Sequence, residues 1–77
     1  MRILVTGGAG RLGYSVSRQL VENGQTVRVF DLPQVDWSHV ERLGVEAFKG
    51  DITDQGSVTD ACKDVDAVVH LAALLPP

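Results

Sequence analysis

The run Thr6-Gly7-Gly8-Ala9-Gly10-Arg11-Leu12-Gly13 directly follows the apolar stretch Ile3-Leu4-Val5. Glycines at this spacing, between a strand and a helix, have separate physical tasks. One permits a tight turn, one lets backbone approach a pyrophosphate with no Cβ in the way, and one lets the helix pack closely on the strand. The exposed N–H groups and the positive end of the helix then hold the anion. Two registers fit: Gly8, Gly10 and Gly13 match GxGxxG, and Gly7, Gly10 and Gly13 match GxxGxxG. Asp31 closes the next strand, 18 positions after Gly13. A carboxylate there accepts both hydroxyls of an adenosine ribose and repels a 2′-phosphate, which predicts NAD in preference to NADP. Arg28, earlier on that strand, and Arg11, in the loop, are cations that could alter the choice. Arg11 reads equally well as lying along the pyrophosphate or as solvated.

Other chemistry is poorly represented. Cys62 is the single cysteine and has no evident base partner, so it reads as a buried free thiol. His39 and His70 are far apart in sequence and offer no metal-ligand spacing. His70 reads as a packed strand-end histidine. Asp60, Asp64 and Asp66 read as a solvated face, and Asp51 and Asp54 as loop acids. No catalytic and no metal-binding residue is assigned.

The elements that must position the loop follow from periodicity. Residues 2–6 form a continuous apolar run, as in a central parallel strand covered on both faces. Leu12, Val16 and Leu20 fall on one helical stripe over 12–23, with Gly13 and Ser17 beside them and Asn23-Gly24 as the stop. Residues 26–31 alternate as strand two. Asp36 to Leu43 predicts a short helix, capped by Asp36 and stopped at Gly44, burying Trp37, Val40 and Leu43. Residues 45–48 are strand three and 49–54 a loop. Thr53 or Asp54 caps a third helix running to about Lys63, with Val58, Ala61 and Cys62 inward. Residues 66–71 are strand four, and an apolar tail runs to Pro77. Alternating strands and helices of this length predict an α/β doubly wound parallel sheet, four strands in order 3-2-1-4 with three helices.

Seventy-seven residues allow one small domain. A chain of this size buries only about 60–65% of its unfolded surface, so its stability is marginal. The hydrophobic share of 44% fits a globular protein. The net charge is −3, and the seven basic residues are scattered singly. Nucleic acid and anionic membrane are therefore not expected partners. No apolar stretch reaches transmembrane length, the start is too short and glycine-interrupted for a signal peptide, and a cytoplasmic setting is expected.

The motifs together resemble the extended short-chain dehydrogenase/reductases, the NAD-dependent epimerase/dehydratase family of nucleotide-sugar enzymes. Thr6 to Gly13, Asp31, Gly50-Asp51-Ile52-Thr53 and His70-Leu71-Ala72-Ala73 carry the resemblance, in order, through the whole chain. It implies a Rossmann-like fold and favours the GxxGxxG register. It also implies cofactor contacts from Gly7, Gly10, Arg11, Leu12 and Gly13 in the loop and from Asp31 on the ribose. Asp51 and Ile52 would meet the adenine, and Leu71, Ala72 and Ala73 would border the riboses.

Catalysis in that family uses a tyrosine, a lysine four residues on that lowers its pKa, and a Ser/Thr that binds the reacting oxygen. The only tyrosine here, Tyr14, is followed four positions later by Arg18. The lysines, Lys49 and Lys63, have Val45 and Thr59 four positions before them. No Tyr-x-x-x-Lys pair can be built, and Tyr14 reads as a helix residue packing at the sheet edge. The expectation is one dinucleotide-binding domain fragment over 1–77 that lacks the catalytic and substrate-binding half. It would bind the ADP half of NAD without turnover. A non-catalytic regulatory module and a dimerising fragment that binds nothing are the alternatives. The uncovered edge of strand four and the apolar tail predict a homodimer.

Overall fold

The computed structural model describes residues 1–72. Strand β1 (Arg2–Thr6) leads into helix α1 (Arg11–Glu22), then β2 (Thr26–Asp31), α2 (Ser38–Glu41), β3 (Glu46–Lys49), α3 (Gln55–Ala61) and β4 (Ala67–His70). All strands are parallel, in the spatial order β3-β2-β1-β4. The expected 3-2-1-4 topology is therefore the one observed. Strand β1 is central, which explains its unbroken apolar run: Ile3, Leu4, Val5 and Thr6 are all buried.

Alternation along the strands builds two cores. Ile3 and Val5 of β1 join Val27, Val29, Trp37 and Val40 on the face covered by α1 and α2. Leu4 and Phe30 join Ala61 on the opposite face, flanked by Phe48, Ile52, Val58 and Val65. The turns use left-handed glycines where the sequence places them. Gly24 and Gly44 have φ of +81° and +80°, ending α1 and α2. Asp64, at φ +61°, turns the chain from α3 toward β4.

Four expectations are corrected. Leu12 does not share the buried stripe of α1: it is 65% exposed, and Gly13 and Ser17 are the buried residues. The helix approaches the sheet through Gly13, whose missing Cβ sets the line of closest contact. Cys62 is exposed rather than inward, because α3 ends at Ala61 and places Ala61 alone in full burial. Helix α2 has four residues instead of the expected span from Asp36 to Leu43. The Asp36 carboxylate accepts the Ser38 N–H (2.9 Å) and hydroxyl (2.7 Å) in a turn ahead of the helix. Helix α3 likewise stops short of Lys63. Its cap is Asp54, whose Oδ1 accepts the Gly56 N–H at 3.1 Å.

Arg28 of β2 ties the α3 end to the sheet. Its Nη1 donates to the carbonyls of Ala61 (2.7 Å) and Lys63 (2.8 Å), and its Nε lies 3.6 Å from Glu46. Asp66 accepts the Arg2 N–H at 2.7 Å, latching the start of β4 to the start of β1. Among the described residues, no helix is long and apolar enough to cross a membrane.

Candidate functional site

The glycine loop leaves β1 at Thr6 and enters α1 at Arg11. Gly7 takes φ +70°, and its N–H donates to the Phe30 carbonyl at 2.8 Å. The tight-turn task thus falls on Gly7. Gly8 is excluded from carrying a side chain for a different reason, since a Cβ there would lie 2.6 Å from Val29 Cγ1. At Gly13 a Cβ would fall onto the Gly7 carbonyl oxygen and 2.8 Å from the Gly8 carbonyl carbon. Gly10 differs from all of these. Its φ of −76° suits any residue, and a Cβ would meet only the Gly7 oxygen, at 3.5 Å. Folding does not require glycine at position 10, yet that position faces the cleft described next. Gly10 also caps α1 without a side-chain hydrogen bond, and no acidic residue occupies the first turn. The first N–H groups of α1 are thus left without a side-chain cap.

A cleft of about 530 Å³ opens at the carboxyl ends of the strands. Gly7, Ala9 and Gly10 form one wall, Asp31, Leu32, Gln34 and Val35 another, and Gly50 to Thr53 a third. The volume is within the range of pockets for small molecules. Of the residues singled out in the sequence, Gly7, Gly10, Asp31, Asp51, Ile52 and Ala72 line it. Gly13, buried, and Leu71, half-buried, do not line it, Arg11 and Leu12 are exposed, and Ala73 lies outside the described residues. Gln34 and Val35 line the cleft without having been anticipated. The rule that open α/β sheets bind ligands beyond the carboxyl ends of their strands was the signal available for them.

Asp31 is held in place by backbone donors. Its Oδ2 accepts the Ala9 N–H at 3.1 Å, and its Oδ1 accepts the Leu32 N–H at 2.8 Å. A carboxylate offers about four lone-pair sites, so each oxygen retains acceptor capacity toward the cleft. Across the cleft, Asp51 Oδ1 accepts the N–H (2.9 Å) and hydroxyl (2.7 Å) of Thr53. The backbone bond, then the side-chain bond, from Thr53 holds its carboxyl below the usual carboxylate range. Both acids therefore face the cleft as acceptors.

The strand-four end is fixed by Thr6. Its Oγ1 accepts N–H groups from Leu71 (3.1 Å) and Ala72 (3.3 Å) and lies 2.8 Å from His70 Nδ1. His70 is thus a strand-end hydrogen-bonding residue. Tyr14 packs against His39, ring centroids 5.2 Å apart, and Arg18 pairs with Glu22 at 3.9 Å. Among the described residues, no cluster of His, Cys, Asp and Glu could hold a metal ion.

The model of the 3-beta hydroxysteroid dehydrogenase/isomerase family matches residues 4–76. The chain belongs to this family. Its relatives place the family within the extended short-chain dehydrogenase/reductases that the motifs resemble. Sterol demethylase protein B of Methylococcus capsulatus is 39% identical over 75 residues, covering 97% of this chain and 23% of that protein. A short-chain dehydrogenase/reductase superfamily protein of Agrobacterium tumefaciens, solved with bound NAD, shares 39% identity and a TM-score of 0.81. That match covers 99% of this chain and 21% of the other. UDP-glucose 4-epimerase of Thermus thermophilus, solved as a complex with NAD, shares 36% identity and a TM-score of 0.83, covering 96% and 24%. Their Rossmann-like fold is the fold seen here. The chain spans roughly a fifth of the length of the curated family relatives it matches.

Proposed function

We propose that this chain supplies the adenosine-diphosphate half of an NAD site in an oxidoreductase or sugar-nucleotide-modifying enzyme. Gly10 carries the reading: it lines the cleft as glycine although the fold has room for a Cβ there. A bare backbone at that point is what close approach of a diphosphate requires, at an α1 N-terminus free of capping side chains. Asp31 would accept the ribose hydroxyls, and Asp51 and Ile52 would meet the adenine. Arg11, Leu12 and Gly13 would flank the diphosphate, with Leu71, Ala72 and Ala73 beside the second ribose. The NAD bound to the Agrobacterium and Thermus proteins supports the same reading.

A preference for NAD over NADP rests on charge. Asp31 would repel a 2′-phosphate, and the cation nearest it in sequence, Arg28, is engaged by Ala61, Lys63 and Glu46 at the other end of the sheet. The chain carries no Tyr-x-x-x-Lys pair, so these residues alone bind and orient the nucleotide without turnover. Calorimetric titration with NAD and NADP tests this. Saturable binding of NAD, much weaker binding of NADP, and a narrowed gap in Asp31→Ala are expected. No heat with either nucleotide would overturn the reading.

We also infer that copies of the chain associate through β4. Within the described residues it is an edge strand, with Val68 50% exposed. Sedimentation across micromolar concentrations is expected to show a dimer, and a monomeric mass throughout counts against it.

A further inference from the structure

The peptide groups of Ala9 are held from both sides. Its N–H donates to Asp31 Oδ2 at 3.1 Å, and its carbonyl is 3.0 Å from His39 Nε2. A carbonyl oxygen can only accept, so His39 carries a hydrogen on Nε2 and donates it. The imidazole is fixed in turn. It is half-buried against Tyr14, and its helix is anchored by buried Val40 and by Trp37, whose Nε1–H donates to the Leu32 carbonyl at 2.9 Å. Ala9 lines the cleft and His39 does not. The Ala9 carbonyl is thus drawn toward α2. Because the peptide is planar and trans, this also sets the Gly10 N–H, which closes the loop on the Gly7 carbonyl at 3.2 Å. Flipping that peptide would turn the Ala9 carbonyl against the Gly7 carbonyl oxygen and break this closure of the loop.

We propose that His39 is a positioning residue of the diphosphate subsite, holding the Ala9–Gly10 peptide in the orientation that keeps the glycine loop closed on the Gly7 carbonyl around the bound anion. The proposal rests on the dinucleotide reading above. It assigns a role in the loop to a residue 30 positions away. The chemistry needed is one N–H donor at the reach of Nε2, not an imidazole as such. Glutamine supplies such a donor. Phenylalanine keeps the ring against Tyr14 and lacks the donor.

The test titrates the full chain, His39→Phe and His39→Gln with NAD and with adenosine, which lacks phosphate. Thermal unfolding and the Gly10 amide resonance are followed in parallel. His39→Phe is expected to weaken NAD about five- to tenfold. It should also shift the Gly10 amide and leave adenosine binding unchanged, and His39→Gln should restore NAD affinity. If His39→Phe does not fold, His39→Asn, too short to reach the Ala9 carbonyl, takes its place. Unchanged NAD affinity in the donor-less variant would overturn the proposal. So would an equal loss for NAD and adenosine that His39→Gln fails to restore, which marks a merely structural role. An unaltered chain that binds no NAD overturns the dinucleotide reading itself, and this proposal with it.

Discussion

The Thr6 hydroxyl donates to His70 Nδ1 across 2.8 Å, because its acceptor sites are taken by Leu71 and Ala72 N–H groups. The relationship orients the His70 ring at the strand end. It also joins the end of β1 to the residue that closes the cleft, since Ala72 lines it and its N lies 2.9 Å from where a Gly7 Cβ would stand.

Thr6→Val preserves shape and removes this junction. The Ala72 N–H loses its partner at a half-buried site, while Leu71 keeps its bond to the Thr6 carbonyl at 3.1 Å. A loss of about 1–3 kcal/mol is expected, with Thr6→Ser close to the unaltered chain. Urea denaturation reads the difference, and amide exchange should localise it to Ala72.

Gly13→Ala and Gly10→Ala should separate sharply. In an ordinary helix interior, glycine to alanine gains about 1 kcal/mol. At Gly13 the new methyl meets the Gly7 carbonyl oxygen and Gly8 backbone, neither of which can move without opening the loop. A destabilisation of about 3 kcal/mol or more is expected there. Gly10→Ala should stay within about 0.5 kcal/mol while weakening NAD. Equal stability of the two variants would contradict the geometry.

Ser17 is fully buried in α1, and its hydroxyl has no hydrogen-bond partner among the described residues. Alanine removes the unsatisfied group and is the better helix former. Ser17→Ala is expected to stabilise by about 1 kcal/mol, raising the unfolding midpoint by about 4–8 °C. A lower midpoint would mean that the hydroxyl is satisfied in solution.

Asp51 gives a pH dependence of known sign. Its folded-state pKa lies below the ordinary value of 3.8, held there first by the Thr53 N–H and then by the Thr53 hydroxyl. A depressed carboxylate contributes stability that is present above the unfolded pKa and lost as pH falls through the folded one. The Asp51 contribution should therefore be constant at neutral pH and disappear below pH 3.8. Carboxyl NMR titration should show Thr53→Ala recovering only part of the depression, because the larger, backbone bond remains.

What the sequence by itself determined is local or periodic. Parallel pairing followed from four short strands separated by helices, since such connections are crossovers, and the order 3-2-1-4 from doubly wound topology. The loop was legible because each glycine task leaves its own spacing. The helix stops at Gly24 and Gly44 were legible because left-handed backbone selects glycine. Contacts between distant segments leave no such trace. Nothing in the run from Leu12 to Leu20 says that α1 turns its Gly13–Ser17 line to the sheet. That choice is made by close packing against Gly7 and Gly8, and it exposes Leu12. Cys62 was misplaced because one helical residue more or less decides its burial, and α3 ends at Ala61. The hold of His39 on Ala9, of Arg28 on Ala61 and of Gln34 and Val35 on the cleft are likewise tertiary. Such interactions depend on where a fold brings side chains, a three-dimensional coincidence that spacing along the chain does not encode.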